Sequence, residues 1–538
     1  MKRLVAMFVL TGIQLVISSG AYAQVDTAWV RCYNGPVNGS DQAYSVAVDS
    51  IGNVYVTGAS DGGGQVDYLT IKYSPPGEIL WTRRFRDTRP GSYRSTAEHI
   101  RVDRLGNIYV TGWSGAGLVN YCTIKYSPLG ETLWVRWLSE GWPKDLEVDR
   151  NLNVYVTGWE GGQNPGGDYC TVKYYPNGDT AWVRRYDGGD NRGECANALA
   201  VNQQGDIYVT GESYTVSTYN DFCTVKYASD GQEVWVKRYN GPANFSDGAN
   251  DLVLDKDGNI LVTGWCYRNG EDYNYCTIKY NPLGDTLWVR EYNGPPNSDD
   301  EAFCLAVDDS GNVYVSGWSY GIGTGKDYCT IKYSPSGQEL WVRRYNGPPG
   351  DQWDEVEAIS LDSRSNVYVT GVSYGLGSYR DYCTIKYSSA GTEEWVARHN
   401  GTADSVDNPR DLTVDSSGNV YVTGFVINTG ASYDYCTIKY APRSGSAAED
   451  KAPSAGGLFL KVANPVRRTV DLSYVLSVTS HVSCRLYDAL GRRVADLVEE
   501  RKGPGRYQLR QGLNLSPGVY FLRLETEREE VLKKVVVL

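Results

Sequence analysis

The sequence is poor in the residues on which common enzyme centres and metal sites depend. Its 538 residues include only three His (His99, His399 and His481) and two Met. Because the three His lie far apart in the chain, they argue against a His-rich metal site and against a His-based catalytic centre. Cys-x-x-Cys motifs and adjacent Cys pairs are also absent, which excludes the usual signals of a dithiol redox site or a zinc knuckle. We therefore predict no catalytic residue, no metal site and no cofactor.

Long apolar segments are lacking after the N-terminus. The chain begins with the basic residues Lys2 and Arg3, continues with the mostly apolar residues 4–17, and reaches a small-x-small cleavage pattern at residues 21–23. This layout predicts a secretory signal peptide over residues 1–23, because its apolar core is too short to cross a bilayer comfortably. An uncleaved anchor is the alternative. We expect an exported protein without a transmembrane segment, either secreted or held at the cell surface.

Positive charge is scarce in most of the chain. The whole sequence has a net charge of -12, but residues 451–538 carry +6 and residues 24–450 carry -20. A region that acidic repels phosphate backbones, so we predict no nucleic acid partner. Hydrophobic residues at 41% and charged residues at 22% are typical of a folded, water-soluble protein.

An internal repeat recurs through most of the sequence. A run of the type Gly-Asn-Val-Tyr-Val-Thr-Gly occurs eight times, and its closing glycines are 53 or 54 residues apart except for one interval of 46. The short interval belongs to the third repeat, which lacks part of the loop before Asp145. The closing glycines are Gly58, Gly112, Gly158, Gly211, Gly264, Gly317, Gly371 and Gly424.

Each repeat reads as four short strands rich in β-branched and aromatic residues. In the sixth repeat they cover residues 304–308, 312–317, 327–333 and 341–345. An Asp-x-x-Gly-Asn turn joins the first strand to the second, and a short turn such as Ser-Pro-x-Gly joins the third to the fourth. The other two connections are longer and variable. We therefore expect both short turns on one face of the repeats and both variable loops on the other.

Four-stranded antiparallel units that repeat every 40–55 residues or so are typical of the blades of a β-propeller. The last repeat ends at Tyr440 without a Trp strand, whereas residues 28–33 form an orphan Trp strand near the N-terminus. We expect this strand to complete the eighth blade and to close the ring; a flat solenoid is the alternative. The predicted fold class is all-β, with an eight-bladed β-propeller over residues 24–440.

The blade pattern resembles that of a family of bacterial β-propeller repeats. The shared pattern is Val-Asp-x-x-Gly-Asn-Val-Tyr-Val-Thr-Gly followed by Pro-x-Gly-x-x-x-Trp, and the likeness covers about residues 27–440. It implies the propeller fold and no particular activity, because propellers support unrelated functions.

Residues 441–538 do not follow the repeat. Residues 441–457 are small and rich in Pro, Gly and Ser, as in a linker, and residues 458–538 alternate like the strands of a small Ig-like β-sandwich. Their motifs resemble the type A sorting domain of the type IX (Por) secretion system, which implies that secretion machinery as a partner and delivery across the outer membrane. An adhesion or spacer domain is the alternative. The matching residues include Asn464, Pro465, Tyr487, Asp488, Gly491, Pro517, Gly518, Tyr520 and Lys533.

Cysteine recurs at one position of the third strand. Leu69 fills this position in the first repeat, which indicates a small buried hydrophobe at that position. Equivalent positions of adjacent blades are expected to be too far apart for a disulfide. We expect Cys32 to lie diagonal to Cys436, where a disulfide closing the ring is a hypothesis.

The variable-loop face is the predicted binding surface, because loops on a rigid scaffold concentrate binding residues. Flat aromatic faces beside Asp and Asn suit sugar rings or partner proteins; packing of loop against loop is the alternative. The candidate residues follow the closing glycines of the second strands. They are Trp113, Trp159, Trp265, Trp318, Tyr214, Tyr267, Tyr320 and Tyr374.

These patterns predict an exported, non-enzymatic β-propeller scaffold that binds an extracellular glycan or protein through its variable-loop face. An enzyme acting on extracellular polysaccharide and a structural cell-surface component are the alternatives. The sequence does not name the ligand, because the variable loops follow no motif of known specificity.

Overall fold

The computed structural model describes residues 25–442 and 459–537 of the protein. The exceptions within these ranges are residues 91, 117, 162–166, 190–191, 271, 349, 351, 376, 431, 463–468, 477–478, 489–491, 504, 513–514 and 528–529. The chain divides into two compact units, Met1–Arg443 and Ser444–Leu538. The described residues of both units form β-strands and no helix, so they include no helix that is long and apolar enough to cross a membrane.

The first unit is a succession of short strands with variable loops between them. In chain order they are β1 (Asp26–Tyr33), β2 (Asp41–Val48), β3 (Val54–Asp61), β4 (Val66–Tyr73), β5 (Ile79–Phe85), β6 (Arg94–Val102), β7 (Ile108–Ala116), β8 (Leu118–Tyr126), β9 (Thr132–Val148), β10 (Val154–Glu160), β11 (Asp168–Tyr174), β12 (Thr180–Tyr186), β13 (Glu194–Val201), β14 (Ile207–Thr215), β15 (Tyr219–Tyr227), β16 (Glu233–Tyr239), β17 (Asp247–Leu254), β18 (Ile260–Arg268), β19 (Asp272–Tyr280), β20 (Thr286–Tyr292), β21 (Asp300–Val307), β22 (Val313–Gly321), β23 (Gly325–Tyr333), β24 (Glu339–Tyr345), β25 (Asp354–Leu361), β26 (Val367–Tyr374), β27 (Arg380–Tyr387), β28 (Glu393–His399), β29 (Asn408–Val414), β30 (Val420–Ile427) and β31 (Tyr433–Ala441).

Each repeat pairs its four strands antiparallel in chain order, as the sequence predicts. The fourth to seventh repeats are separate four-stranded sheets, β13 to β16, β17 to β20, β21 to β24 and β25 to β28. The first three repeats are joined in one 11-stranded sheet. The first and second repeats are joined by a parallel bridge between Val66 of β4 and Arg94 of β6. The second and third repeats join because β9 is a single 17-residue strand that ends the second repeat and begins the third. The missing loop before Asp145 therefore lets one strand run straight into the next repeat.

The N-terminal strand completes the last repeat, as expected from the orphan Trp motif. β1 pairs antiparallel with β31, beside β30 and β29. The expected diagonal position of Cys32 is wrong: the register shifts between Thr27 and Trp29, and Cys32 lies directly opposite Cys436. The two Sγ atoms are 3.5 Å apart.

The short turns repeat one hydrogen-bond scheme and lie together on one face. In the first repeat, the carboxylate of Asp49 accepts the N–H groups of Ile51 and Asn53 at 3.1 and 2.8 Å, and it also accepts the Tyr55 hydroxyl at 3.0 Å. Gly52 closes this turn with a φ of 85°, a conformation that favours glycine. It lies against Pro75 of the turn between the third and fourth strands.

Equivalent contacts join each repeat to the next. The Trp288 indole N–H donates to the carbonyl of Pro335 at 3.1 Å, so this Trp packs between repeats as predicted. The Tyr275 hydroxyl donates to the carbonyl of Cys329 at 3.0 Å. The same tyrosine contact runs from Tyr435 of the last repeat to Leu69 of the first, at 3.0 Å. First strands also contact one another in succession, and β29 contacts β2.

The second unit consists of two sheets around one core. Its strands are β32 (Phe459–Val462), β33 (Thr469–Leu476), β34 (Ser480–Asp488), β35 (Arg493–Lys502), β36 (Gly505–Gly512), β37 (Gly518–Glu525) and β38 (Glu530–Val537). One sheet has the order β32-β33-β36, and the other has the order β35-β34-β37-β38. Buried residues of both sheets, such as Leu472 and Leu522, belong to the same hydrophobic cluster.

The sorting-motif residues of this unit mostly stabilise turns and the core. Asp488 accepts two hydrogen bonds from Arg492, at 2.9 and 2.7 Å. The buried Tyr520 donates its hydroxyl proton to the carbonyl of Ser516 at 2.9 Å. Tyr487 pairs with Phe521, Gly518 begins β37, Pro517 directly precedes it, and Lys533 pairs with Leu522. Asn464, Pro465 and Gly491 lie outside the described residues.

Candidate functional site

Every first strand of the first unit has a β-bulge, and first strands of successive repeats contact one another along one edge. At each bulge one residue has no partner on the second strand, and bulges of this kind re-aim a side chain. We call these eight residues the bulge set. Its members are Tyr44, Glu98, Lys144, Asn197, Asn250, Phe303, Glu357 and Arg410.

Members of the bulge set contact the neighbouring repeat. The side-chain amide of Asn197 donates to the carbonyl of Ala249 at 2.9 Å, and that of Asn250 donates to the carbonyl of Ala302 at 2.8 Å. Arg410 donates to Glu357 at 3.4 Å. Burial raises the pKa of Glu357 to about 7, while the charge of Arg410 acts in the opposite direction. This edge is therefore largely polar and charged, and its polar groups form contacts between repeats.

The predicted aromatic residues are less accessible than a simple loop surface suggests. Trp113 and Trp318 are each only 7% exposed. Trp159, Trp265, Tyr214, Tyr267, Tyr320 and Tyr374 are half-buried. These eight residues belong to several local clusters, which contain further residues that the repeat motif does not reveal.

Trp113 forms a cluster with a carboxylate of the bulge set. The indole N–H groups of Trp113 and Trp142 each donate to Glu98 at 2.8 Å, one to each oxygen. The two indole rings are 4.7 Å apart. Burial raises the pKa of Glu98, whereas the two indole donors lower it. Glu98 is therefore held between the second and third repeats.

Trp318 lies under a lysine. Lys326 Nζ is 3.6 Å from the centre of the Trp318 ring and 5.2 Å from that of Trp353. The same ammonium group donates to Glu355 at 3.0 Å. Tyr320 packs against Trp318 at 5.8 Å. Trp353, which is 46% exposed, is the accessible member of this cluster.

A continuous row of rings joins the fourth and fifth repeats. We call it the aromatic strip; neighbouring ring centres within it are between 4.8 and 6.1 Å apart. Tyr219 is 46% exposed and Phe245 is 38% exposed. In order, the strip consists of Tyr214, Tyr219, Phe245, Tyr267, Tyr273 and Trp265.

One carboxylate, Glu212, lies beside the aromatic strip, and a second, Glu301, acts on it electrostatically. Glu212 occupies the position after the closing glycine at which four repeats carry Trp. A Cβ atom at Gly248 would lie 2.8 Å from both Glu212 Oε1 and the Trp265 ring, so the acid and the indole meet over this glycine. Burial, followed by the charge of Glu301, raises the pKa of Glu212 to about 7. Glu301 itself accepts a hydrogen bond from Asn250 at 3.2 Å.

The remaining two candidates lie apart from these clusters. Tyr374 is covered by the guanidinium of Arg380, whose central carbon is 5.9 Å from the ring centre. Trp159 packs against Gly167, and its carbonyl accepts the Tyr121 hydroxyl at 3.3 Å. The structure therefore brings Tyr214, Tyr267 and Trp265 together and leaves Trp159 and Tyr374 elsewhere.

Further acids on the first strands bind the neighbouring repeat. Asp145 accepts the N–H of Leu199 at 2.9 Å, and Asp251 accepts that of Leu305 at 2.9 Å. Burial raises the pKa of Asp145 to about 7 and that of Asp251 to about 6. Arg101 lies 3.5 Å from Asp145. Burial lowers the pKa of the adjacent His99 to about 3, so this imidazole is neutral at physiological pH.

Gly-x-Ser-x-Gly occurs three times, around Ser60, Ser319 and Ser373. All three serines lie within strands, so they do not form a nucleophile elbow. Ser319 of β22 and Ser373 of β26 are fully buried. Their hydroxyl oxygens accept hydrogen bonds from Arg344 and Arg398, at 2.5 and 2.6 Å. A nucleophile elbow places its serine at the turn between a strand and a helix, whereas these three serines are strand residues.

Sequence reasoning missed Tyr219, Phe245, Tyr273, Trp142 and Trp353. Tyr219, Phe245 and Trp353 lie in or at the ends of variable loops, and Trp142 lies in the merged strand β9. The loop residues have no equivalent positions in the other repeats, and at the positions of Trp142 and Tyr273 most other repeats carry different residues. The one available signal was local: aromatic residues cluster in the loops of the fourth and fifth repeats.

Comparisons with known families agree with the two-part organisation. A family described as "Beta-propeller repeat" matches residues 35–64, 81–118, 287–323 and 394–424. A family described as "Secretion system C-terminal sorting domain" matches residues 463–538. Both resemblances drawn from the sequence are thereby confirmed. The sorting domain implies interaction with the type IX secretion machinery and export to the cell surface or the medium.

Solved structures show related folds at very low identity. Sqt1 from Chaetomium thermophilum, bound to the N-terminus of the ribosomal protein L10, has 9% identity and a TM-score of 0.50, covering 76% of this chain and 98% of its own. The polysaccharide lyase Uly1 has 9% identity and a TM-score of 0.40, covering 75% and 90%. An ulvan lyase of family PL25, bound to a GlcA–Rha3S saccharide, has 11% identity and a TM-score of 0.36, covering 66% and 92%. The first likeness concerns the fold alone, and the two lyases support no functional argument. None of the curated proteins matches the chain.

Proposed function

Because the chain contains β-propeller repeats and a C-terminal sorting domain, we propose that it is an exported, non-enzymatic scaffold that binds an extracellular glycan or protein. Residues 24–440 form an eight-bladed propeller that β1 closes, and the variable-loop face binds the ligand. Residues 1–23 are the signal peptide, residues 441–457 the linker, and residues 458–538 an Ig-like sandwich that the secretion machinery recognises. The hydrogen bond from Tyr435 to Leu69 and the contact of β29 with β2 support the closed ring.

The observation that carries the binding proposal is the aromatic strip beside Glu212. Tyr219 and Phe245 present exposed ring surface, and the carboxylate next to the strip offers hydrogen-bond acceptors. Sugar rings bind through this combination, because their C–H faces pack on aromatic rings while their hydroxyls donate to carboxylates. Rigid rings also lose little conformational entropy on binding.

Charge narrows the class of glycan. Residues 24–450 carry a net charge of -20, and the strip itself lies beside the carboxylate of Glu212. Sulfated and uronic-acid polysaccharides would meet like charge at this surface. We therefore expect neutral or amino-sugar glycans as ligands.

A glycan array probed with the mature protein tests the proposal. We expect retention of neutral or basic glycans and no retention of sulfated ones, at an ionic strength near 0.15 M, where charges within about 8 Å still interact. A parallel capture experiment with surface proteins of the producing cell covers the protein-ligand version. Retention of neither class, together with self-association of the protein, would favour a structural surface component instead.

The competing function is cleavage of an extracellular polysaccharide. The specific observation in its favour is that Glu212, beside Trp265, and Glu301 are half-buried carboxyls that interact electrostatically, since carboxyl pairs of this kind catalyse glycoside hydrolysis. Incubation of the retained glycans with the protein separates the two functions. New reducing ends that disappear in the Glu212→Gln variant would replace the binding proposal by an enzymatic one.

A further inference from the structure

Five of the connections between successive repeats share one sequence and hydrogen-bond pattern. An Asn-Gly pair follows the fourth strand, and the N–H of its Gly donates to an Asp at or next to the start of the next first strand. In the sixth repeat, the N–H of Gly294 donates to Asp300 at 2.5 Å. The five pairs are Gly35–Asp41, Gly241–Asp247, Gly294–Asp300, Gly347–Asp354 and Gly401–Asp407.

The connection into the fourth repeat departs from this pattern at both positions. Asp187 stands where the others have Asn, and Glu194 stands where they have Asp. Asp168, the first residue of β11, approaches from the preceding repeat. One carboxylate oxygen from each of Asp168, Asp187 and Glu194 lies within 4.8 Å of the other two. The fourth connection has therefore gained both negative charge and a longer acidic side chain.

Glu194 is buried without a hydrogen-bond partner. The residue is 1% exposed, and among the described residues neither of its carboxylate oxygens accepts a hydrogen bond. A buried carboxylate without a partner is costly, and two further carboxylates nearby increase that cost. In the other connections the equivalent Asp accepts at least the glycine N–H. The fourth connection thus brings a buried acid, which accepts no hydrogen bond from a described residue, within 4.8 Å of two further carboxylates.

We propose that Asp168, Asp187 and Glu194 bind a calcium ion. Hard carboxylate oxygens are preferred ligands of Ca²⁺, and its oxygens lie 2.3–2.6 Å from the ion, so opposite ligands are up to about 5 Å apart. One ion between the three carboxylates therefore fits the observed spacing. Asp187 is exposed, which leaves one side open to water ligands. Bound calcium ties β11, the connection and β13 together and satisfies Glu194.

A proton shared by the three carboxyl groups is the alternative way to reduce the repulsion between them. Burial and the charges of Asp187 and Asp168 raise the pKa of Glu194 to about 7, and Arg238 on β16 acts in the opposite direction. A proton would neutralise one carboxyl without any metal. The two explanations differ in one measurable respect, because only the metal site responds to added calcium at constant pH.

Calcium titration of the full mature chain tests the proposal. The protein is first treated with EDTA, dialysed, and then titrated with CaCl2 alone in a calorimeter at pH 7.5. We expect one binding site with a Kd of about 0.1–1 mM, as in extracellular calcium modules. Thermal unfolding in 10 mM CaCl2 is expected to occur about 2–4 °C higher than in EDTA, because the ion binds only the folded protein.

The matched variant restores the residues of the other connections. Asp187→Asn with Glu194→Asp is expected to lose the calcium heat and the thermal shift, while it folds and melts in EDTA at or above the wild-type temperature. Asp257→Asn, an exposed change in a short turn, removes the same kind of charge elsewhere and is expected to bind calcium normally. The proposal is overturned if wild-type protein binds no calcium, or if the double variant binds it with unchanged stoichiometry. An EDTA-treated protein whose melting depends on pH and not on calcium would assign the cluster to a proton.

Discussion

Glu212 occupies a position where four other repeats carry Trp, and its environment makes its charge unfavourable. Burial and the charge of Glu301 raise its pKa to about 7, while a hydrogen bond from Asn220 only partly compensates. The folded protein therefore binds a proton at Glu212 more tightly than the unfolded chain does. Between pH values of about 4.5 and 7 the contribution of this group to folding stability falls as pH rises.

Replacement of Glu212 by Gln tests whether this carboxyl group lowers folding stability as pH rises. We expect the free energy of unfolding of Glu212→Gln to exceed that of the wild type by about 1–2 kcal/mol at pH 8, with a much smaller difference at pH 5. Denaturant unfolding at the two pH values measures it. Glu78→Gln, an exposed change on the short-turn face, serves as the control and should show no such pH-dependent difference. Equal stability of Glu212→Gln and wild type at pH 8 would contradict the account of this residue.

At the residue scale, the sequence predicted the aromatic positions and missed most of their partners. Trp113, Trp265 and Trp318 were identifiable because the repeat fixes the position after the closing glycine. Their burial was not, because the covering groups come from elsewhere in the chain. Lys326, for example, lies over Trp318, yet the first residues of the third strands differ between repeats, so alignment could not assign this contact.

At the scale of strands, the pairing of β1 with β31 brings two thiols together. Cys32 and Cys436 are directly opposite on adjacent antiparallel strands, a spacing of about 4.5–5.5 Å between Cα atoms, which disulfides accept. The hydrogen bond between Cys32 and Cys436 lowers the pKa of the Cys32 thiol, and thiolates are the reactive form. Exported proteins also meet oxidising conditions.

We therefore expect oxidised glutathione to convert the thiols of Cys32 and Cys436 into a disulfide bond between these two residues. The two thiols lose two protons and two electrons, and the glutathione disulfide is reduced to two thiols. The new bond links the ends of the first unit and is expected to raise the free energy of unfolding by about 2–4 kcal/mol. Non-reducing peptide mass spectrometry and thermal unfolding measure both effects, with Cys32→Ser as the control that gains neither. If both thiols remained free after this treatment, the Cys32–Cys436 disulfide would be ruled out.

The same strands show why register is harder to predict than pairing. The orphan Trp motif of β1 and the missing fourth strand of the last repeat were enough to predict that β1 pairs with β31. The bulge between Thr27 and Trp29 recurs beside the fourth-strand Trp of the other repeats. It sets a register in which Cys32 lies opposite Cys436, as Arg344 lies opposite Cys329. A similar local effect, the lost loop before Asp145, merged two predicted strands into β9.

At the scale of the whole molecule, the repeats determine the scaffold, and the variable loops carry the proposed binding surface. Eight copies of one motif predicted the order of strands, the two short turns and the inter-repeat Trp contacts, because each is repeated and so is visible by alignment. The aromatic strip arises from strand ends and one loop of only two repeats. The proposed ligand surface is therefore the part of the molecule about which internal repetition carries least information.

The central claim is that the aromatic strip binds an extracellular ligand, and calorimetry of the mature protein with its most strongly retained glycan tests it most directly. Tyr219→Ala with Phe245→Ala removes the two exposed rings of the strip. Tyr175→Ala removes an exposed ring on the short-turn face and is the matched control. We predict at least about tenfold weaker binding for the double variant, a loss of about 1.4 kcal/mol, and unchanged binding for the control. Equal affinities for all three proteins, or no glycan retained by the wild type, would contradict the claim that this strip is a glycan site.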